Sequence, residues 1–234
     1  MGQYYLPLIM SENGGRVIAA FSSFDFDNGM KLTEHSYYGN LLVDSFLAYA
    51  AGVGESTIAW VGDYAEMEED ILPLEAHAAT NPANDKGRVH RDFPRMLQKA
   101  QHVWNNGKHR VKKEDIPQDR MDSVDELVAY DFRTRQKLDL GEYLRLVIAA
   151  RKEAEKLPPC VDPDDIEGFV LHPIPLLTCV GNGKGGGDYR GDSMEWVGAW
   201  AFHPIALLPK GTVPDDGEWE DITGKFRFEE GRYW

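Results

Sequence analysis

The chain has 234 residues, of which 42% are hydrophobic and 27% are charged, as expected for a folded globular domain with a substantial core. Its formal net charge of −14 disfavours nonspecific binding of nucleic acid by the surface as a whole. No apolar run approaches the ~20 residues of a membrane span, and Met1–Tyr5 lacks the basic and apolar regions of a signal peptide. Two cysteines, Cys160 and Cys179, predict reduced thiols in a cytoplasmic protein rather than a disulfide framework or a zinc site.

The first third of the chain predicts two strands, a helix and a buried strand. Residues 3–10 and 16–22 are apolar segments joined by Asn13-Gly14, a strong signal for a β-hairpin. Asn40 can cap a helix that runs to about residue 51. Residues 57–61 form an apolar strand pattern that ends at Gly62-Asp63.

The middle third predicts two further helices around a hairpin. Asp92 can cap a helix over 93–104, and residues 126–138 fit a hairpin. Asp139 with Glu142 forms a capping box for a helix that extends to about residue 156. Because residues 66–123 are largely polar or charged, we expect a mobile insertion there.

The last third predicts strands at about 167–178, 194–202 and 219–228. Within it, His172-Pro173-Ile174-Pro175-Leu176-Leu177 is echoed by His203-Pro204-Ile205-Ala206-Leu207-Leu208. The order of elements predicts an α+β fold over residues 1–234, as one domain with a mixed or antiparallel sheet and about three helices.

A glycine-rich loop joins two of these predicted strands. It has five glycines in the seven residues 181–187, which allows backbone amides to approach a ligand closely. Lys184 is followed by glycine rather than Ser or Thr, which argues against a P-loop, and no helical pattern follows as a dinucleotide fingerprint requires. Either a plain hairpin connection or a binding loop fits. The binding interpretation selects Asn182, Gly183, Lys184, Gly185, Gly186, Gly187, Asp188 and Arg190.

Three residues are candidates for acid–base chemistry. His35 lies between Glu34 and Ser36, although neighbours in sequence rarely face one another and a structural histidine fits as well. Asp63 follows a strand end, where a simple turn is the alternative, and Asp188 closes the glycine loop. Trp60 and Trp200 are predicted to contact a ligand near that loop. No metal ion and no cofactor is indicated.

The segment 86–113 differs electrically from the rest of the chain. It contains nine Lys or Arg residues and a single acidic residue, with aromatic and histidine side chains between them. Such a stretch could contact phosphate groups, but a solvated helix face that complements the acidic flanks is the favoured explanation.

Several motifs together resemble a family of uncharacterised proteins from bacteriophages and bacteria. They are the opening Met1–Tyr5, Glu34-His35-Ser36, Trp60–Ala65, His172–Thr178 and Gly181–Tyr189, and they span nearly the whole chain in order. The resemblance implies a phage or mobile-element context and carries no established activity.

Three functions are compatible with these features. The leading hypothesis is a noncatalytic phage-type protein that engages a host protein or sequesters a nucleotide-like small ligand through residues 181–190. The second is a hydrolase or transferase acting on a phosphate- or sugar-bearing substrate. The third, and least favoured, is nucleic-acid binding through residues 86–113.

Overall fold

A computed structural model describes residues 3–65, 89–153, 170–181, 187–214 and 217–229. Its helices are α1 Leu32–His35, α2 Leu41–Val53, α3 Val89–Asn106, α4 Gln118–Met121, α5 Leu140–Glu153 and α6 Pro173–Leu177. Its strands are β1 Tyr5–Ser11, β2 Val17–Phe21, β3 Ser56–Gly62, β4 Arg110–Val111, β5 Leu127–Asp131, β6 Gln136–Asp139, β7 Cys179–Val180, β8 Pro204–Pro209 and β9 Glu220–Asp221.

One mixed sheet organises the chain in the order β4-β2-β1-β3-β8-β5-β6-β9, with β7 paired to β3 off this path. The pairs β2–β4, β3–β7 and β6–β9 are parallel, and the remaining pairs are antiparallel. Three long helices, α2, α3 and α5, accompany three short ones among the described residues. The α+β class with a mixed sheet is therefore confirmed.

Elements specified by local signals match their predictions. Strands β1 and β2 pair antiparallel, and the Gly14 amide donates to the Ser11 carbonyl in their turn at 2.6 Å. Asn40 caps α2 by accepting from the Leu42 amide at 3.0 Å. The Glu142 amide donates to Asp139 Oδ1 at 2.9 Å at the start of α5, and β5 and β6 form the predicted hairpin.

Both faces of the central strands are covered. Alternate residues of β1 pack into two apolar clusters, with Tyr5 and Ile9 on the side of α2 and with Leu8 and Met10 on the side of α3. Helix α3 contributes Leu97, Ala100 and Val103 to the second cluster. Helix α3, within the segment 66–123, is thus packed against the sheet, whereas residues 66–88 of that segment lie outside the described residues.

The C-terminal third departs most from its predictions. Residues 173–177 form α6 rather than a strand, because Pro173 and Pro175 suit a first helical turn and His172 caps it. Turns and a short 3-10 helix occupy 194–202, and only Glu220–Asp221 is extended within the third predicted strand. Strand β8 was not predicted as a strand. Helix α3 begins at Val89, so Asp92 is not its cap.

No helix among the described residues is long and apolar enough to cross a membrane. Cys179 is a buried, reduced cysteine whose Sγ donates to the Leu176 carbonyl at 3.2 Å, whereas Cys160 lies outside the described residues.

Candidate functional site

The two ends of the glycine loop meet over one tyrosine hydroxyl. Strand β7 ends beside Gly181, where an added Cβ would lie 2.7 Å from Tyr5 Oη. On the returning side Gly187 has a φ of +58°, and a Cβ there would lie 2.6 Å from the same oxygen. A side chain at either position would displace the Tyr5 hydroxyl, and at Gly181 also Gln3 Oε1, while the positive φ of Gly187 independently favours glycine there.

A buried polar pair forms the base under these glycines. The Tyr5 hydroxyl donates a hydrogen bond to Gln3 Oε1 at 2.9 Å, and both side chains are buried. Gln3 also packs against Gly62 at the end of β3, where a Cβ would again collide with it. The start of β1 and the carboxyl ends of the parallel strands β3 and β7 therefore converge at the loop. The sequence analysis missed Gln3 and Tyr5, because only the register of the three strands brings them together.

Asp188 fixes the returning limb of the loop to α1. Its carboxylate accepts from the Thr33 hydroxyl and, at 3.3 Å, from the Thr33 amide. Two residues on, Arg190 Nη1 donates to the carbonyls of Gly187 and Tyr189 at 2.8 and 2.7 Å. Both side chains thus brace the backbone where the loop rejoins the domain. The candidate residues Asn182, Gly183, Lys184, Gly185 and Gly186 lie outside the described residues.

His35 is a core residue with both ring nitrogens engaged. Its Nδ1 lies 3.1 Å from the Gly29 carbonyl, and its Nε2 lies 3.1 Å from Trp60 Nε1. Because the indole can only donate and the carbonyl can only accept, the proton of the neutral imidazole is on Nδ1. Burial lowers the pKa of His35 to about 4. The ring is therefore neutral at physiological pH and has no nitrogen left for a substrate.

Asp63 extends the antiparallel ladder between β1 and β3 by one pair beyond Tyr5 and Gly62. Its Oδ1 accepts from the Tyr4 amide at 3.0 Å, and its own amide donates to the Tyr4 carbonyl at 2.9 Å. The side chain is partly exposed, and Oδ2 has no partner within the described part of the chain. Of the three acid–base candidates, Asp63 alone has an oxygen without a hydrogen-bond partner among the described residues.

The two tryptophans predicted to contact a ligand are core residues. Trp60 and Trp200 are fully buried, with Trp60 packed edge-on against Phe46 at 4.3 Å between ring centroids. Trp200 Nε1 donates to Gln136 Oε1 at 3.0 Å. Neither indole is exposed to solvent, so the structure places both side chains in the core.

A second buried polar cluster, Asp131 with His203 and Arg133, lies at the end of β5. Asp131 Oδ2 accepts from His203 Nδ1 at 2.7 Å, and His203 Nε2 accepts from Arg133 Nη1 at 3.0 Å. The Thr134 hydroxyl and the Arg133 amide also donate to Asp131, at 2.6 and 2.9 Å. The sequence analysis contains His203 only as the first residue of the segment that repeats His172–Leu177. Nothing in the spacing of 72 residues indicated the pairing with Asp131.

Among the described residues, no group of three or more His, Cys, Asp or Glu side chains could hold a metal ion.

Comparison with known proteins finds no match among protein-family models, curated proteins or solved structures. The resemblance to bacteriophage and bacterial proteins therefore stays a prediction.

Proposed function

We propose that this chain is a noncatalytic binding protein that sequesters a nucleotide-like small ligand at the glycine loop, residues 181–190. The observation that carries the proposal is the common base of the loop, where Gly181 and Gly187 both pack on the Tyr5 hydroxyl. A loop whose two ends are fixed can present its amides to an anion at a lower entropic cost than a free loop.

The position of the loop in the sheet supports the same proposal. Strands β3 and β7 are parallel and both end at this edge. Loops at the carboxyl ends of adjacent parallel strands are frequent ligand sites in open α/β sheets, although here only one parallel pair is present. Arg190 adds a cation beside the loop, and its Nη1 already orients the backbone.

The hydrogen bonds of the acid–base candidates favour binding over catalysis. Both nitrogens of His35 are engaged in the core, and Asp188 holds Thr33. A general base needs an accessible atom within hydrogen-bond reach of the substrate, and of the three candidates Asp63 alone has a carboxylate oxygen without a hydrogen-bond partner among the described residues. The hydrolase or transferase alternative would therefore depend on a single carboxylate.

A host protein is the alternative partner for the same loop. If the resemblance to phage proteins holds, the protein acts in the cytoplasm of a bacterial host cell, and the glycine loop would engage a host factor there. The two versions share the loop and differ in the partner, so they can be separated experimentally.

Thermal-shift measurements with nucleoside mono-, di- and triphosphates test the small-ligand version. A ligand at 100 times its Kd stabilises the fold by about 2.7 kcal/mol, which raises the Tm measurably. We expect a shift for the parent and a smaller one for Lys184→Ala and Arg190→Ala. Lys152→Ala, at an exposed position of α5, is the matched control and should respond like the parent.

Two outcomes would contradict the small-ligand version. One is the absence of a Tm shift with any nucleotide, and the other is an equal shift in all three variants. In either case, capture of host proteins on the immobilised parent, compared with the Lys184→Ala variant, tests the host-protein version. Loss of the captured protein in that variant alone would support it.

A further inference from the structure

A cleft of about 190 Å³ lies near one edge of the sheet, on the face of the sheet opposite to α2. It opens between the last turn of α3 and strands β1 and β2, beside the edge strand β4. Its walls are largely apolar, and two cationic side chains stand at its rim. The residues that matter below are Leu6, Phe24, Val103, Trp104, Lys108 and Arg110.

Two aromatic rings of this cleft are available to solvent. Phe24 is 66% exposed, which is the largest exposure among the described large hydrophobic residues, and Trp104 is partly exposed. Leu6 and Val103 also line the cleft and are buried. A slot of this size, with both aromatic rings in its lining, has room for one planar ring and not for a helix or a strand. Stacking on such rings is how proteins hold unpaired bases.

The rim supplies positive charge on a protein that is otherwise acidic. Lys108 is exposed and has no partner among the described residues. Arg110 Nε lies 3.1 Å from Asp25 Oδ2, and this is its only side-chain partner within the described part of the chain. Asp25 offsets one charge, so the rim keeps a net positive charge and two guanidinium Nη groups that can donate to an anion.

The positive charge continues beyond the cleft. From Arg95 to Lys113 the chain carries six Lys or Arg residues and no acidic residue. Arg110 and Lys112 lie two residues apart in extended backbone, so their side chains leave on one face about 7 Å apart. A row of cations suits a ligand with repeated negative charges better than a single phosphate.

We propose that this cleft binds single-stranded nucleic acid. One base lies in the slot against Phe24 and Trp104, and the adjoining phosphates contact Lys108, Arg110 and Lys112. A duplex is excluded from the slot because its bases are stacked and paired. Because the net charge of the chain is −14, the rest of its surface repels phosphate groups, and binding is confined to this surface. Because the contacts to phosphate are electrostatic, binding weakens as the salt concentration rises. The proposal does not depend on the glycine loop.

Fluorescence anisotropy with a labelled oligothymidylate of about 15 nucleotides tests the proposal at low and moderate salt. We expect saturable binding to the parent and a loss of at least about tenfold in affinity for Phe24→Ala, whose side chain is exposed and contributes little to folding. Lys108→Glu should also bind at least about tenfold more weakly and lower the slope of log K against log salt by at least about 0.7. Lys152→Glu on α5 makes the same change of charge and should bind as the parent does.

Each of the following results would overturn the proposal. No saturable binding at low salt excludes the ligand class, as does equal or tighter binding of a duplex of the same length. Equal weakening by Lys108→Glu and Lys152→Glu would show that only the overall charge matters. Binding of an acidic, aromatic-containing peptide in place of the oligonucleotide would assign the cleft to a protein partner.

One further control separates this test from that of the glycine loop. Arg190→Ala should leave oligonucleotide binding unchanged, because Arg190 does not line the cleft.

Discussion

Two segments of this protein share five of six residues and fold differently. His172–Leu177 reads His-Pro-Ile-Pro-Leu-Leu and forms the cap and body of α6, whereas His203–Leu208 reads His-Pro-Ile-Ala-Leu-Leu and continues into β8. The single difference is Pro175 against Ala206. Proline suits the third position of a helix, where the amide has no intrahelical partner. In a central strand a proline removes a hydrogen bond of the ladder.

The two leading histidines also have opposite environments. His172 Nδ1 accepts from the Ile174 amide at 3.2 Å, and its buried Nε2 has no hydrogen-bond partner among the described residues. His203 is held by Asp131 and Arg133. The same hexapeptide pattern therefore supplies a helix cap in one place and a member of a buried polar cluster in the other. The partners that decide between these outcomes lie about 70 residues away or more, on β5.

The largest expected effect comes from removing the acceptor that distinguishes the second segment. Asp131→Ala leaves three donors without their acceptor: the buried Nδ1–H of His203, the Thr134 hydroxyl and the Arg133 amide. A buried donor left unsatisfied costs about 1–3 kcal/mol, and hydrogen bonds to a charged group are the stronger ones, so the three together should cost at least about 3 kcal/mol. Urea denaturation at neutral pH should show this loss in the free energy of unfolding.

Glu142→Ala is the control for Asp131→Ala, since its exposed pair with Arg145 contributes at most about 1 kcal/mol. A loss for Asp131→Ala no larger than that of the control would mean that the cluster does not stabilise β8.

The second largest loss of stability is expected from exchanging the one residue that differs between the two His-Pro segments. By the alternation of the antiparallel ladder, Ala206 lies in a hydrogen-bonded pair with Tyr130 on β5. Ala206→Pro removes that bond from a central strand, and we expect a loss of about 3 kcal/mol, by analogy with proline in a helix interior. Pro175→Ala should cost less than about 1 kcal/mol, because it mainly increases the entropy of the unfolded chain. Equal losses for the two variants, measured by thermal and urea denaturation, would contradict this explanation.

Local signals in the sequence account for the parts of the fold that were predicted correctly. Asn13-Gly14, Asn40 and Asp139 act through hydrogen bonds within three residues, so their effect can be foreseen without knowing the sheet. The different conformations of the two His-Pro segments could not be foreseen, because their patterns differ at a single residue: the first is predicted as a strand and forms α6, whereas the second is not predicted as a strand and forms β8. The conformation of β8 depends on its insertion between β3 and β5, which are distant in sequence.

The candidate site shows the same difference between local sequence signals, which could be recognised, and contacts between distant residues, which could not. The glycine loop was visible as composition, but Gln3 and Tyr5, which fix its ends, carry no local signal. His35 and Trp60 were selected separately as an acid–base candidate and a ligand contact. Their mutual hydrogen bond, which places both in the core, is a tertiary contact across 25 residues.

The smallest expected effect concerns the two buried histidines whose pKa is lowered. Burial holds the pKa of His172 at about 3 and that of His35 at about 4, against about 6.5 in the unfolded chain. Between these values the unfolded chain binds more protons than the folded one, so stability decreases as the pH falls below about 6.5. Each histidine should contribute about 2 kcal/mol to the loss between about pH 7 and about pH 5.

Substitution of His172 isolates its share of this acid sensitivity. His172→Asn keeps a side chain that can cap α6 and removes the titrating ring, so the decrease in unfolding free energy from about pH 7 to about pH 5 should shrink by roughly half. His102→Asn, at an exposed position of α3, should leave the decrease as in the parent. If His172→Asn were as acid-sensitive as the parent, the protonation of His172 would not contribute to the loss. The two His-Pro segments would then differ in backbone conformation and hydrogen bonding alone.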